Sequence, residues 1–484
     1  MTADTRRPGS WAPVLPLALA AALAYFATRR DWGEGGELIP WLGAAVAFLG
    51  FLPALRWGAE RRARPEVAGS IPFFPTLGCL FALYFGAPAL MGDTFLTPTL
   101  EYDNASVERA LWLSLGGWLA CLLGWRLGAA PISRLRPLRL ELDWGRARRY
   151  APVLLAIGFG AVLIRRSVAI PGGLVQPVRF LEMLLQAGLA VLVLSSLRRE
   201  LNEDQNLLLW LFFVPLYLFL QVGAGSVAQL AYAGVFLLFL AWGAGRRVPM
   251  FLLACGALVM LVMRGHVHEF RGRKWHGAQA EAGAWEKSVI FVEVLTERYE
   301  EDGMRALAAA TEEVRARVSH LSSFSHVTKL TPERVAYWGG ATYRALPSTL
   351  VPRLLWPGKP SKRVGQDFGH RYSLLAPNDR TTAVNLPQIV ELYANFGARG
   401  VLAGMFALGL LYRLLHRWWN TYGTGAGTLV LAALLLSRLI LIESDFSLVY
   451  GALLQNAVLL ILLFRWLRPT APPAAAEPEA APTS

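Results

Sequence analysis

Residues 337–400 read YWGGATYRALPSTLVPRLLWPGKPSKRVGQDFGHRYSLLAPNDRTTAVNLPQIVELYANFGARG, a polar, basic stretch rich in proline, glycine and aromatic residues. What flanks it decides the fold. On both sides the chain is a succession of apolar runs of roughly 15–21 residues, near the length a helix needs to cross a bilayer core. A backbone in lipid must satisfy its own amides, so such runs become helices. They fall at 11–28, 38–55, 71–91, 110–129, 151–164, 180–197, 207–222, 227–242, 250–263, 401–415, 428–442 and 447–467. The expected fold class is an all-α polytopic membrane protein with about twelve transmembrane helices and one large outer loop. The boundary between the last two runs, at Glu443 and Asp445, carries the weakest signal.

Composition agrees. Of 484 residues only 17% are charged and 55% are hydrophobic, and the mean hydropathy is +0.40. The net charge of +13 would suggest nucleic acid in a soluble chain. Here arginine in short loops has a topological role, so no nucleic-acid partner is expected. Cys79, Cys121 and Cys255 all lie inside apolar runs, which suits packing and offers neither a disulfide framework nor metal-ligand spacing.

The loops set the orientation. Arg56, Arg61, Arg62 and Arg64 follow the second run, and Arg134, Arg136, Arg139, Arg146, Arg148 and Arg149 follow the fourth. Residues 92–108, between the third and fourth, hold acidic residues and no lysine or arginine. Arg198, Arg199, Arg246, Arg247 and Arg417 fall on the basic side. The excess of arginine on one side puts both termini in the cytoplasm and residues 264–399 outside. The chain then divides into N-terminal spans over 1–263, the outer loop over 264–399, C-terminal spans over 400–467 and a Pro/Ala-rich tail over 468–484, expected to be disordered. Arg165, Arg166 and Arg179 break the charge rule in a short outer loop, either snorkelling to lipid phosphates or holding an anionic ligand.

Within the outer loop, Met304, Leu307, Thr311, Val314, Val318 and Leu321 recur at helical spacing, which predicts one amphipathic helix over 302–321. His266, His268 and Glu269 lack a second ligand pair, so no metal is expected. Arg264 sits at the membrane edge, where an arginine needs an anion or a route to water. Pro352, Pro357 and Pro360 forbid a continuous helix and present Arg353, Lys359, Lys362 and Arg363 from a stiff loop. Arginine matches phosphate oxygens bidentately and lysine adds a compact charge. Trp356, Phe368 and Tyr372 can stack on sugar faces, or Trp356 can sit at the membrane interface. Asp367, His370, Asp379 and Glu391 can exchange a proton. A helix is expected to start after Pro387, with Gln388, Glu391 and Asn395 on one face, turned toward substrate.

These residues carry a resemblance. TYRALPSTLVPRLLWPGKP, followed about thirty residues further on by ELYANFGARGVLAG, resembles the Wzy-type polymerases of O-antigen and exopolysaccharide repeat units. The matching positions are Pro352, Arg353, Trp356, Pro357, Lys359 and Pro360, then Glu391, Tyr393, Asn395, Phe396, Gly397 and Gly400. Some members place a glycine eleven residues after an arginine; here Val364 stands at that spacing from Arg353 and Gly365 follows it. The resemblance implies a GT-C-like fold in the bacterial inner membrane. It also implies glycosyl transfer at the periplasmic face, from a glycan on undecaprenyl diphosphate to a fresh lipid-linked repeat unit, with no cofactor. Glu391, His370 or Asp367 would act as base. Arg353, Lys359, Arg363, Arg380, Arg264, Arg165 and Arg166 would hold the diphosphate, and Tyr393, Asn395 and Trp356 the sugars. Membrane lipids and a chain-length regulator are the expected partners. An O-antigen ligase would share the topology and the donor and differ in its acceptor, whereas a lipid-linked glycan flippase or other transporter would place ionisable groups near the midplane, where these spans hold few, chiefly Glu182 and Arg438.

Overall fold

The structure, a computed structural model, describes residues 14–63, 71–92, 96–97, 100–168, 170–171, 173–222, 227–246, 284–344, 346–349, 351, 356, 358–359, 363–451 and 453–469, with isolated positions over 248–262. Arg264, the His266–Glu269 group, Arg353 and Lys362, most of the run at 250–263, and the tail from 470 lie outside the described residues.

Every regular element among the described residues is helical. Among the described residues seven helices are long and apolar enough to cross a membrane: Ile39–Ala63, Phe73–Met91, Asn104–Leu127, Trp144–Arg165, Val175–Leu197, Gln388–Trp419 and Phe446–Trp466. Val14–Thr28, Gln229–Gly243 and Ala426–Leu439 are shorter apolar helices. We label Val14–Thr28 α1, Ile39–Ala63 α2, Phe73–Met91 α3, Asn104–Leu127 α4, Trp144–Ser167 α5 and Val175–Leu197 α6. α7 runs from Glu203–Leu208 through the π segment Leu209–Phe213 into Val214–Val222, and α8 is Val227–Gly243. Long apolar helices of this kind are those of a multi-pass membrane protein.

The helix starts follow from local chemistry. Asp103 caps α4, accepting from Ser106 N while the Ser106 hydroxyl accepts from Asp103 N. Asp143 caps α5, and Asn202 with Gln205 forms a second capping box. Each satisfies amide donors that a helix start leaves open.

The segment between the two groups of apolar helices is, among the described residues, a helical layer. It comprises α9 (Ala284–Asp302), α10 (Met304–Val318), α11 (His320–Leu330) and α12 (Val364–Arg371). The single amphipathic helix expected over 302–321 is therefore corrected. α10 starts after Gly303, whose φ of 53° is one that glycine tolerates, and ends at Ser319, whose ψ of 69° is not helical. The turn lets α11 point Leu321, Phe324 and Val327 inward against α4, so Leu321 belongs to a different helix from Met304. α13 (Gln388–Trp419) then returns through the bundle, followed by α14 (Ala426–Leu439), α15 (Phe446–Tyr450) and α16 (Leu453–Trp466).

Hydrogen bonds sort the helix ends into two sets. At one end Arg61 donates to Arg246 O (3.1 Å), Arg148 to Glu200 O (2.9 Å), Arg417 to Ser133 O (2.9 Å) and Asp143 N to Leu467 O (3.0 Å). This end collects the arginine-rich loops. At the other, Thr97 N donates to Ser322 Oγ (3.1 Å), Gln176 to Gln455 Oε1 (3.1 Å), Gln455 to Thr349 O (2.7 Å) and Gln388 N to Ile442 O (3.1 Å). The layer α10–α12 sits here with the 165–182 turn.

Candidate functional site: a cationic cavity at the end of the bundle

A cavity of about 650 Å³ opens at this second end. Three stretches far apart in sequence build it. The first turn of α6 supplies Gln176 and Arg179; residues 359–386 supply Lys359, Arg363 and Arg380; the turn before α15 supplies Asp445. Gly365 makes the wall possible. The segment at Val384 passes so close that a Cβ there would meet Val384 O at 2.6 Å, and Val384 N donates back to Gly365 O (3.1 Å).

The charge is predominantly positive. Arg165 is paired with Glu182, and Arg179 lies within electrostatic reach of Arg165, Glu182 and Arg438. Three guanidiniums thus face one carboxylate beside a cavity that already holds Lys359, Arg363 and Arg380. Lys359 Nζ donates to Val351 O (2.8 Å), and Arg363 donates to Gln366 Oε1 (3.4 Å). Arg380 has no ion-pair partner among the described residues. Such a set is fitted to polyanionic oxygen. Beside the polar Gln176, Ser447 and Gln455, the helices also bring the apolar Val175 and Leu448 to the cavity, and Leu448 is 66% exposed.

A second, more open cavity of about 830 Å³ adjoins it. Trp338, Asp367, His370 and Arg371 line it, and Arg380 lines both. The Arg371 guanidinium lies over the Trp338 ring at 5.4 Å. The buried His370 Nε2 has no hydrogen-bond partner among the described residues. At the far side of this loop, hydrogen bonds from Thr382 and Thr381 hold the Asp379 carboxyl well below the usual carboxylate range, so Asp379 is a turn-forming anion.

Behind the first cavity lies a buried polar cluster. Gln388, Glu391 and Asn395 do share one face of α13, but that face looks into the protein. Glu391 is 0% exposed and lines neither cavity; its Oε2 accepts the Phe446 amide at 2.7 Å. Asn395 accepts from Gly340 N (3.0 Å) and donates to Thr342 Oγ1 (2.9 Å) and Glu391 O (2.8 Å). Gln388 Oε1 accepts from Tyr412 at 3.2 Å. Burial pushes the Tyr343 phenol far above its usual range, and the nearby Glu391 and Asp445 carboxylates add to the effect. Tyr393 is buried as well, its hydroxyl donating to Thr331 O (3.1 Å) and its ring packed on Phe324 and Tyr337.

The structure thus gathers Lys359, Arg363 and Arg380 in one cavity, with Arg165 beside it through Arg179. It places Asp367 and His370 in the adjoining cavity, and sets Glu391, Tyr393 and Asn395 in the interior. Trp356 is 44% exposed and lines neither cavity. The side chain of Arg166 lies outside the described residues. Asp445 is the residue the sequence reading passed over. Its signal was present: an acidic residue in a tight turn between two apolar runs.

Fold and site together define a helical membrane-type protein with an anion-fitted cavity at one helix end. The chain belongs to the family described as "Domain of unknown function (DUF8712)", whose model matches residues 146–470. That match takes in the cavity, the helical layer from α9 onward and α13 to α16. No curated protein and no solved structure matches the chain.

Proposed function

We propose that the protein polymerises oligosaccharide repeat units carried on undecaprenyl diphosphate, at the periplasmic face of the bacterial inner membrane, within a GT-C-like bundle of about twelve spans. One observation carries the reading. Cations from the 175–179 turn and the 359–380 segment converge with a carboxylate on a cavity at the membrane-helix ends, opposite the arginine-rich loops. A glycosyl diphosphate develops negative charge on its leaving oxygens as the glycosidic bond breaks, and preorganised guanidiniums stabilise that charge. Val175 and Leu448 give the site an apolar flank along which a polyprenyl chain can lie. The adjoining cavity, with Trp338, Asp367 and His370, suits the acceptor sugar. Arg380, common to both, stands where donor and acceptor would meet. The substrates are lipid-linked oligosaccharides, and a chain-length regulator is the expected protein partner.

The test is the glycan profile of a strain lacking the gene. Loss of long polymer with accumulation of single lipid-linked repeats is expected. Unchanged polymer length would sink the reading. Long chains stranded on the lipid carrier would mark a ligase, and repeats confined to the cytoplasmic leaflet would mark a flippase.

A further inference from the structure

Resting on the polymerase reading, we propose that Asp445 is the catalytic base of the transfer and that Glu391 is a positioning residue that aims it. Two carboxylates meet at this turn in different ways. Asp445 lines the cationic cavity, while Glu391 lies behind its wall. Asp445 Oδ1 is committed: it accepts from Leu448 N (3.0 Å) and Ser447 Oγ (2.7 Å), capping the start of α15. Asp445 is 9% exposed and lines the cavity, and its Oδ2 takes no hydrogen bond among the described residues and is not among the fully buried unpartnered atoms. One oxygen therefore fixes the group and the other remains available.

Glu391 fixes the turn from behind. Its Oε2 accepts the amide of Phe446, the residue next to Asp445, across the gap between α13 and α15. Two further bonds close the same turn: Gln388 N donates to Ile442 O (3.1 Å) and Ser444 N to Leu441 O (3.1 Å). A buried carboxylate is costly unless its bonds are worth keeping, and this one is held by the Thr342 side chain and by the backbone amide beside the cavity carboxylate. Its other oxygen, Oε1, has no partner among the described residues, and neither does the buried Tyr343 hydroxyl nearby.

In the transfer, the acceptor hydroxyl oxygen forms the new bond to the anomeric carbon. Its proton passes to Asp445 Oδ2. The bond from the anomeric carbon to the diphosphate oxygen breaks, and the electron pair leaves with undecaprenyl diphosphate, held by Arg179, Lys359, Arg363 and Arg380. Base and leaving-group cations line one cavity, so both can face the same anomeric centre.

The experiment uses Asp445→Asn, because asparagine caps a helix as well as aspartate does and keeps the turn, yet it cannot take the proton. The variant is expressed in the deletion strain and also purified. Long-chain glycan should fall at least 100-fold, with binding of undecaprenyl diphosphate within about twofold of wild type and an unchanged melting temperature. Asp445→Asn with wild-type chains would overturn the base assignment and leave Asp445 a cap. Glu391→Gln retains an acceptor for Phe446 N and should keep most of the long-chain product. Glu391→Ala should lose it about tenfold or more while still binding undecaprenyl diphosphate, since the positioning bond is gone. Glu391→Gln as inactive as Asp445→Asn, or Glu391→Ala fully active, would overturn the positioning role. If the wild-type gene itself fails to restore long chains, the polymerase reading falls, which is a different result from an active wild type with an active Asp445→Asn.

Discussion

The Asn395 side chain donates to Thr342 Oγ1 at 2.9 Å, fastening the first turns of the returning helix to the segment that crosses beside it. Asn395 also accepts from Gly340 N, while Trp338 N and Gly339 N donate to the carbonyls of Ala394 and Asn395. The helix is interrupted just beyond, at Gly397, whose φ of 67° and ψ of −160° set its two parts apart. A side chain there would also run into the Tyr337 hydroxyl. Position 395 is thus a structural joint between the helical layer and the bundle.

Asn395→Leu should accordingly cost about 2 kcal/mol, because it strands the Gly340 amide and removes the bond to the Thr342 hydroxyl. The measurement is the melting temperature in detergent, which should fall while membrane insertion stays normal. Stability equal to wild type would show that water or a neighbouring group replaces the lost bonds.

The cationic cavity makes a second prediction. Arg179→Ala and Arg380→Ala should each weaken binding of undecaprenyl diphosphate about 10–100-fold, the worth of a charge-assisted contact. Arg380→Lys should recover part of the loss, since charge survives and the planar fork does not. Titration by thermal shift reads the effect. An unchanged affinity in Arg380→Ala would remove that residue from the site.

pH acts through Asp103 and Lys329, which form an ion pair between the start of α4 and the end of α11. Partial burial alone would raise the Asp103 carboxyl, but hydrogen bonds from Lys329 and Ser106 and the Lys329 charge bring it below its ordinary value. A carboxylate depressed in the folded state adds stability above its unfolded value, about 3.9, and loses it as pH falls through the folded one. The wild-type melting temperature should therefore drop as pH is lowered from about 5 to about 3. Asp103→Asn keeps the cap, removes the charge and should flatten that part of the curve. Identical curves for the two proteins would contradict the assignment.

Close helix contact supplies the fourth prediction. α4 and α13 pack through Gly124 and Gly409. A Cβ at Gly124 would overlap Phe406 O, and one at Gly409 would overlap Cys121 O. Small residues let helix backbones approach where lipid gives no hydrophobic drive to association. Gly409→Val should cost about 3 kcal/mol and lower the yield of monodisperse protein in size-exclusion chromatography. Tolerance of valine there would mean that the two helices can separate without loss.

The amino-acid sequence by itself determined the helical class, most of the helices and the place of the polar layer. Apolar runs at 38–55, 71–91, 110–129 and 180–197 became helices because hydropathy and backbone satisfaction are local properties of a stretch of chain. The helix start after Pro387 was legible through the proline, whereas the break around Glu443 and Asp445 carried the weakest signal of the run boundaries. Only the tertiary structure decided which carboxylate meets the cavity. Glu391 and Asn395 share a helix face in any reading, yet nothing local says whether that face meets solvent or a neighbouring turn. The union of Arg179 with Arg363, Arg380 and Asp445 was equally hidden. It depends on how helices pack sideways, and that is set by contacts such as Gly124 with Phe406 between residues distant in the chain.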